Sequence, residues 1–267
     1  MNFLVSANSD IGNVRKTNQD SVSVLRANTP IGQVAFAVVC DGMGGLAKGE
    51  MASATVMNTF NNWFKGYFSQ KNINLTDSFI VEQWSNLITN LNKKIGDYGN
   101  QNAFKLGTTI TAILVTPYRF YVVNVGDSRT YEIKDNVRQI TEDQTVVAQE
   151  VKYGRLTAEQ AKVDPRNSVL LQCIGASKVV KPDFFFGNTT PNTVFMLCSD
   201  GFRHCISEQE IFNFFNPNAL YSKDALNMNS CQLIDINKQR MERDNISVVL
   251  IKTYWGVHNV TNRSTCW

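Results

Sequence analysis

Histidine is scarce in this chain. Only His204 and His258 occur among 267 residues, and neither belongs to an HExxH pair, which speaks against a histidine-rich zinc site. The six cysteines, at 40, 173, 198, 205, 231 and 266, contain no CxxC pair, and four sit among apolar residues or beside strand-like runs. They read as reduced, partly buried small hydrophobes rather than a disulfide framework, so a cytoplasmic setting is expected. No long basic block stands out, and 26 basic against 23 acidic side chains leave a net charge of only +3, too balanced to advertise nucleic acid as a partner. The longest apolar runs, such as Val34 to Cys40 and Val248 to Ile251, fall far short of the roughly 18 residues of a membrane span. The start, Met1 to Val5, turns polar at once instead of forming a basic leader with an apolar core. A soluble protein with no membrane partner is therefore expected.

With 43% hydrophobic and 18% charged residues, the chain has the composition of an ordered globule long enough for one large core. Short strands are predicted at Phe3 to Ser6 and Ser21 to Ala27, with a polar loop holding Gly12, Arg15 and Asp20 between them. Val34 to Cys40 reads as a buried strand running into a tight turn at Asp41-Gly42. Apolar residues at helical spacing predict a long helix over Lys48 to Tyr67, and a second that Thr76 or Asp77 would cap. Thr108 to Val115, Arg119 to Val125 and Arg129 to Ile133 read as consecutive antiparallel strands. Thr145 to Arg166 is polar and broken, with one short capped helix, and suits an insertion over the sheet. Val194 to Cys198 predicts a strand, Ser207 to Phe215 and about Ser222 to Arg240 predict helices, and Ile246 to Thr253 a last strand. Helices are grouped rather than alternating with strands, so an α+β fold of antiparallel sheets covered by helices is expected, not a doubly wound sheet. No repeat or low-complexity tract is present.

Three apolar runs close in the same manner: on Asp41-Gly42, on Gly126-Asp127-Ser128, and on Ser199-Asp200-Gly201. Asp244 stands immediately before the last strand. If these ends converge, several carboxylates share one place and need cations to neutralise them. Oxygen ligands without histidine or thiolate favour Mg²⁺ or Mn²⁺, and a pair of such ions binds a phosphoryl group and activates water. Asp-Gly after a strand is also an ordinary turn, and by composition alone a metal site and coincidental turns stay equally open.

Taken together and in order, Arg15-Lys16-Thr17-Asn18-Gln19-Asp20, Asp41-Gly42-Met43-Gly44-Gly45, Gly107-Thr108-Thr109, Gly126-Asp127-Ser128-Arg129, Ser199-Asp200-Gly201 and Asp244-Asn245 resemble the PPM or PP2C-type protein phosphatases, especially the compact bacterial ones. The motifs cover almost the whole chain. The resemblance implies a four-layer α/β/β/α sandwich and hydrolysis of phosphoserine and phosphothreonine in proteins by metal-activated water. It implies one such domain over 1–255 with a flap at 145–166, and a tail at 256–267. Asp41, the Gly42 carbonyl, Asp200 and Asp244 are implied ligands of two core Mn²⁺ or Mg²⁺ ions, and Asp127 with Asp200 of a weaker third. Asp20 is implied to contact a metal-bound water, and Arg15 to grip the substrate phosphate, for which its donor fork is suited. Asn18 is expected to organise its loop, and Thr108 and Thr109 to be ordinary strand threonines. A Ser/Thr protein kinase as counterpart and a monomeric state are further expectations.

The sequence departs from some eukaryotic relatives at Met43, where they carry a histidine proposed as general acid; a thioether has no proton to give. Gln19 stands where many members have glutamate. Other readings fare worse. A tyrosine-phosphatase loop needs arginine six positions after cysteine, and Cys198 to Arg203 is one short. Gly42 to Gly45 lacks the spacing of a dinucleotide loop. A metallonuclease would add a basic, aromatic groove, and a silent binding module would have lost metal aspartates that are all present here.

Overall fold

A computed structural model describes residues 1–44, 48–70 and 73–256. Gly45 of the glycine-rich motif, His258, Cys266 and all but the first residue of the expected 256–267 tail lie outside the described residues. The order is β1 (Asn2–Asp10), β2 (Asp20–Thr29), β3 (Gly32–Met43), α1 (Gly49–Phe68), α2 (Asp77–Gln101), β4 (Gly107–Thr108), β5 (Ile110–Val115), β6 (Arg119–Val125), β7 (Arg129–Ile133), β8 (Val137–Gln139), α3 (Val146–Lys152), α4 (Ala158–Val163), β9 (Asp183–Asn188), β10 (Val194–Cys198), α5 (Asp200–Arg203), α6 (Glu208–Phe215), α7 (Lys223–Gln239) and β11 (Ile246–Tyr254).

Two antiparallel sheets form, one in the order β1-β11-β10-β7-β8, the other β2-β3-β5-β6-β9 with β4 attached to β3. Their central strands are apolar at nearly every position because both faces are buried. Along β3, Val34, Phe36, Val38 and Cys40 pack with α1 and α2, whereas Ala35, Ala37 and Val39 face the other sheet. Along β10, Val194, Met196 and Cys198 join the cluster with α5, α6 and α7, while Phe195 and Leu197 turn inward. Three apolar layers thus separate four layers of secondary structure, the expected α/β/β/α sandwich. The outer helices follow their sequence periodicity. On α2, Ile80, Trp84, Ile88, Leu91 and Ile95 form one buried stripe, and Thr76 accepts the Phe79 N–H at 3.1 Å as its cap.

Several expectations need correction. β3 does not end in a turn at Asp41; it continues to Met43 because Gly42 and Met43 pair with Thr108 and Gly107. Asp20 is the first residue of β2, not part of the preceding loop. The run β5, β6, β7 is not one meander: β6 pairs with β5 and β9, whereas β7 crosses to the other sheet and pairs with β10 and β8. The edge strands β8 and β9 and the single helical turn α5 were not expected at all; each is short, and β9 carries three consecutive phenylalanines without clean alternation.

Candidate metal centre

The β2–β3 register places Asp20 directly opposite Asp41. Cross-strand partners share a face, and like charges there are destabilising unless compensated. Burial first, and then the charges of Asp20, Asp200, Asp127 and Asp244, push the Asp41 carboxyl well above the usual carboxylate range. Asp20 is pushed up to about 7, chiefly by burial, against hydrogen bonds from Ser247 and Ser199 and with Asp200 and Asp244 adding to the rise. Five separated stretches of sequence therefore meet as one field of negative charge.

Each carboxylate is held by its own backbone surroundings. Thr109 does more than an ordinary strand threonine: its Oγ1 accepts the Asp41 N–H at 2.9 Å, and its own N–H donates to the Asp41 carbonyl at 2.9 Å. Thr108 Oγ1 donates to the same carbonyl at 2.9 Å. Asp20 Oδ2 accepts from Ser199 Oγ at 2.9 Å, which ties β2 to the residue before Asp200. Asn18, as expected, organises its loop, accepting the Asp20 N–H at 3.1 Å and donating to Ser9 Oγ at 2.8 Å. Asn245 pins the same loop to Asp244, donating to the Ile11 and Thr17 carbonyls and accepting from the Gln19 N–H.

Two glycines permit the approach. A Cβ on Gly42 would lie 2.3 Å from the Gly49 carbonyl oxygen and 2.5 Å from that of Gln19. One on Gly201 would lie 2.2 Å from the Asn245 carbonyl oxygen and 3.1 Å from Asp244 Cβ, so only glycine lets the Asp200 turn close on Asp244.

Arg15, Asp41, Gly42, Asp127, Asp200 and Asp244 all line one cleft of about 510 Å³, together with Gln19, Met43 and part of the segment 168–177. Asp20 is not among the residues of its wall. The segment 145–166, expected to flank the site, contributes no lining residue; Thr145 is bridged to Leu170, and the wall begins at Ser168. A smaller groove of about 280 Å³ at Leu25, Phe64 and Phe68 contains no carboxylate.

Basic side chains already meet three of the aspartates. Arg15 makes a two-pronged contact with Asp244, Nε to Oδ1 at 2.9 Å and Nη2 to Oδ2 at 2.7 Å. Arg203 approaches Asp127 Oδ2 at 3.7 Å, and burial, then Asp200, push Asp127 up to about 7 despite it. His204 stands 3.6 Å from Asp200 Oδ2 and 3.5 Å from Glu242 Oε2. Burial works against ionising Glu242, yet His204 and the N–H groups of Asp244 and Arg243 hold it down at about 2. Glu242 and His204 thereby brace Asp244 against Asp200. Sequence reasoning missed both, and Arg203; the signals were the i, i+4 spacing of Asp200 and His204 and a glutamate two residues before Asp244.

Among the described residues no three His, Cys, Asp or Glu side chains are drawn into a finished ligand set, Asp244 being turned onto Arg15. The donors nevertheless suit a hard cation. The candidate ligands are carboxylates and a backbone carbonyl, and the one cysteine in the cleft wall, Cys173, has its thiol pushed up by burial, away from the thiolate a softer metal would need. Asp200 Oδ1 is buried and has no hydrogen-bond partner, an oxygen that a cation would satisfy.

The sequence profile of the protein phosphatase 2C family matches residues 13–241. A putative protein phosphatase 2C-type protein of Streptococcus pyogenes is 30% identical, over 92% of this chain and 96% of its own length. The structure of the S. agalactiae serine/threonine phosphatase superposes with a TM-score of 0.81 at 27% identity, covering 94% of this chain and 100% of that one. The catalytic domain of the serine/threonine protein phosphatase PstP, in complex with 2 manganese ions, superposes with a TM-score of 0.74 at 27% identity, covering 94% and 98%.

Proposed function

Because the chain belongs to the protein phosphatase 2C family, we propose that the aspartate cleft and Arg15 form its active centre and divide the work as follows. The protein is a metal-dependent serine/threonine phosphatase, a phosphoric monoester hydrolase acting on phosphoserine and phosphothreonine in proteins. Asp41, the Gly42 carbonyl, Asp200 and Asp244 would hold two Mn²⁺ or Mg²⁺ ions, and Asp127 with Asp200 a weaker third. Bound there, such ions polarise phosphoryl oxygens and make water acidic enough to be a nucleophile at neutral pH.

The observation that carries this assignment is the unpartnered, buried Asp200 Oδ1, beside an Asp41 carboxyl that burial and the neighbouring aspartate charges push well above the usual range. Thr108 and Thr109 fix the backbone of Asp41. Asp20, opposite Asp41 on the neighbouring strand, is tied to Ser199, the residue before Asp200. Arg15, half-exposed at the cleft, has the planar fork that grips a phosphate through two hydrogen bonds, and Asp244 occupies that fork here. Met43 lines the cleft without a proton to offer, so the departing serine or threonine alkoxide must take its proton from water.

The segment 145–166, with its tie from Thr145 to Leu170, is assigned as a flap that acts on the cleft through the wall at 168–177. A substrate phosphorylated on serine or threonine requires a protein kinase as the opposing activity. The five described cysteines are free, which supports a reducing, cytoplasmic setting. Hydrolysis of a phosphothreonine peptide by the purified protein, with Mn²⁺ and with EDTA, tests the assignment. Turnover should need the metal, spare a phosphotyrosine peptide and vanish in Asp41→Asn. A folded Asp41→Asn protein with wild-type turnover would refute the core site.

A further inference from the structure

Arg203 took part in the sequence argument only as an arginine at the wrong distance from Cys198. In the fold it is not part of the cleft wall but lies against Asp127, which is. Its side chain is 15% exposed. Nη2 lies 3.7 Å from Asp127 Oδ2 and 3.5 Å from Asp143 Oδ2, and it donates to the Asp127 carbonyl at 3.2 Å. Asp143 is itself gripped by Arg129, at 2.8 Å and 2.7 Å. Arg203 Nε is buried with no partner, so the guanidinium is held by these charges and not by a full set of hydrogen bonds.

Two carboxylates and two guanidiniums make this quartet balanced in formal charge. The neighbouring group is not: Asp20, Asp41, Asp200 and Asp244 face one arginine, Arg15, and the imidazole of His204. A divalent ion is therefore drawn to the core aspartates by uncompensated charge, whereas an ion at Asp127 enters a place already neutralised. Arg203 sits three residues after Asp200 on the same helical turn, α5. The turn that offers Asp200 to a shared third ion also carries that ion's competitor for Asp127.

We propose that Arg203 is a resident counter-ion of Asp127 that competes with the third cation and sets how weakly this protein holds it. The inference rests on the reading of Asp127 as a third-site ligand. Arg203 is a positioning residue in this scheme, since it acts through Asp127 and touches no reacting atom.

Calorimetric titration of the metal-stripped full chain with Mn²⁺ tests it. Wild type should show a tight event and a weak one. Arg203→Met should tighten the weak event about tenfold, because a cation some 4 Å from the ligand is removed, and leave the tight event unchanged. Arg203→Lys, which keeps the charge, should stay near wild type. Arg203→Gln, which can still donate to the Asp127 carbonyl, is a second neutral variant with the same expected tightening if the methionine variant does not fold. A weak event unchanged or weakened in a folded neutral variant would overturn the proposal and leave Arg203 as a support for Asp127. The third-site reading fails separately, and the proposal with it, if Asp127→Asn keeps the weak event or no variant shows one.

Discussion

Without metal, the protein should lose stability as pH rises through the neutral range. Asp20 has a folded pKa of about 7, against roughly 3.9 in an unfolded chain. A group whose pKa is raised by folding contributes stability that is fully present below the unfolded value and is lost as pH rises through the folded value. Three units correspond to roughly 4 kcal/mol, of which about 3 kcal/mol falls between pH 5 and 7.5. Asp41 and Asp127 are shifted in the same direction, and His204 is raised above its ordinary value, so its contribution too is lost as pH rises through that higher value. Acid-side groups do not interfere: Glu210 and Glu242, held down at about 2, lose their contribution only as pH falls towards that value. For a chain of this size, 3 kcal/mol is about 6–12 °C in Tm. Thermal unfolding followed by circular dichroism in EDTA, at constant ionic strength from pH 5 to 7.5, should show that decline. Mn²⁺ at a hundred times its Kd should restore about 2.7 kcal/mol at the alkaline end, and Asp20→Asn should flatten the slope. A Tm in EDTA that is level or rising across this window would refute the reasoning.

Arg15→Ala removes an ion pair that is 50% exposed on its arginine side, so stability should change by no more than about 1 kcal/mol, while KM for a phosphothreonine peptide rises more than kcat falls. Unchanged kcat/KM would eliminate Arg15 as the phosphate clamp. Gly201→Ala drives a methyl group against the Asn245 carbonyl; it should cost about 1–3 kcal/mol and weaken the tight Mn²⁺ event in calorimetry, and wild-type affinity would contradict the close approach of Asp200 and Asp244. Exchanging the exposed residues Tyr153 and Val163 of the proposed flap for serine should alter turnover of phosphoproteins more than of a small phosphate ester. Equal effects on both would leave 145–166 without a selective role.

Strands buried on both faces were legible because they leave unbroken apolar runs, as at Val34 to Cys40, and α2 was legible because its stripe repeats at helical spacing. The aspartates were legible as residue types at the ends of such runs and as a set in the order of a known family. Their convergence was not, because it depends on register and on which sheet each strand joins. Asp20 meets Asp41 only through the β2–β3 pairing, and β7 leaves the β5–β6 hairpin for the other sheet with no mark in its own residues. Partners far apart in the chain were out of reach for the same reason: Arg203 lies 76 residues from Asp127, and Asp244 229 from Arg15. The sequence by itself determined the α+β class and the family, since these follow from residue type and short spacing. Only the tertiary structure decided which aspartates oppose one another, which are already met by Arg15, Arg203 and His204, and which oxygen is left buried without a partner, because charge compensation depends on distances across the packed chain.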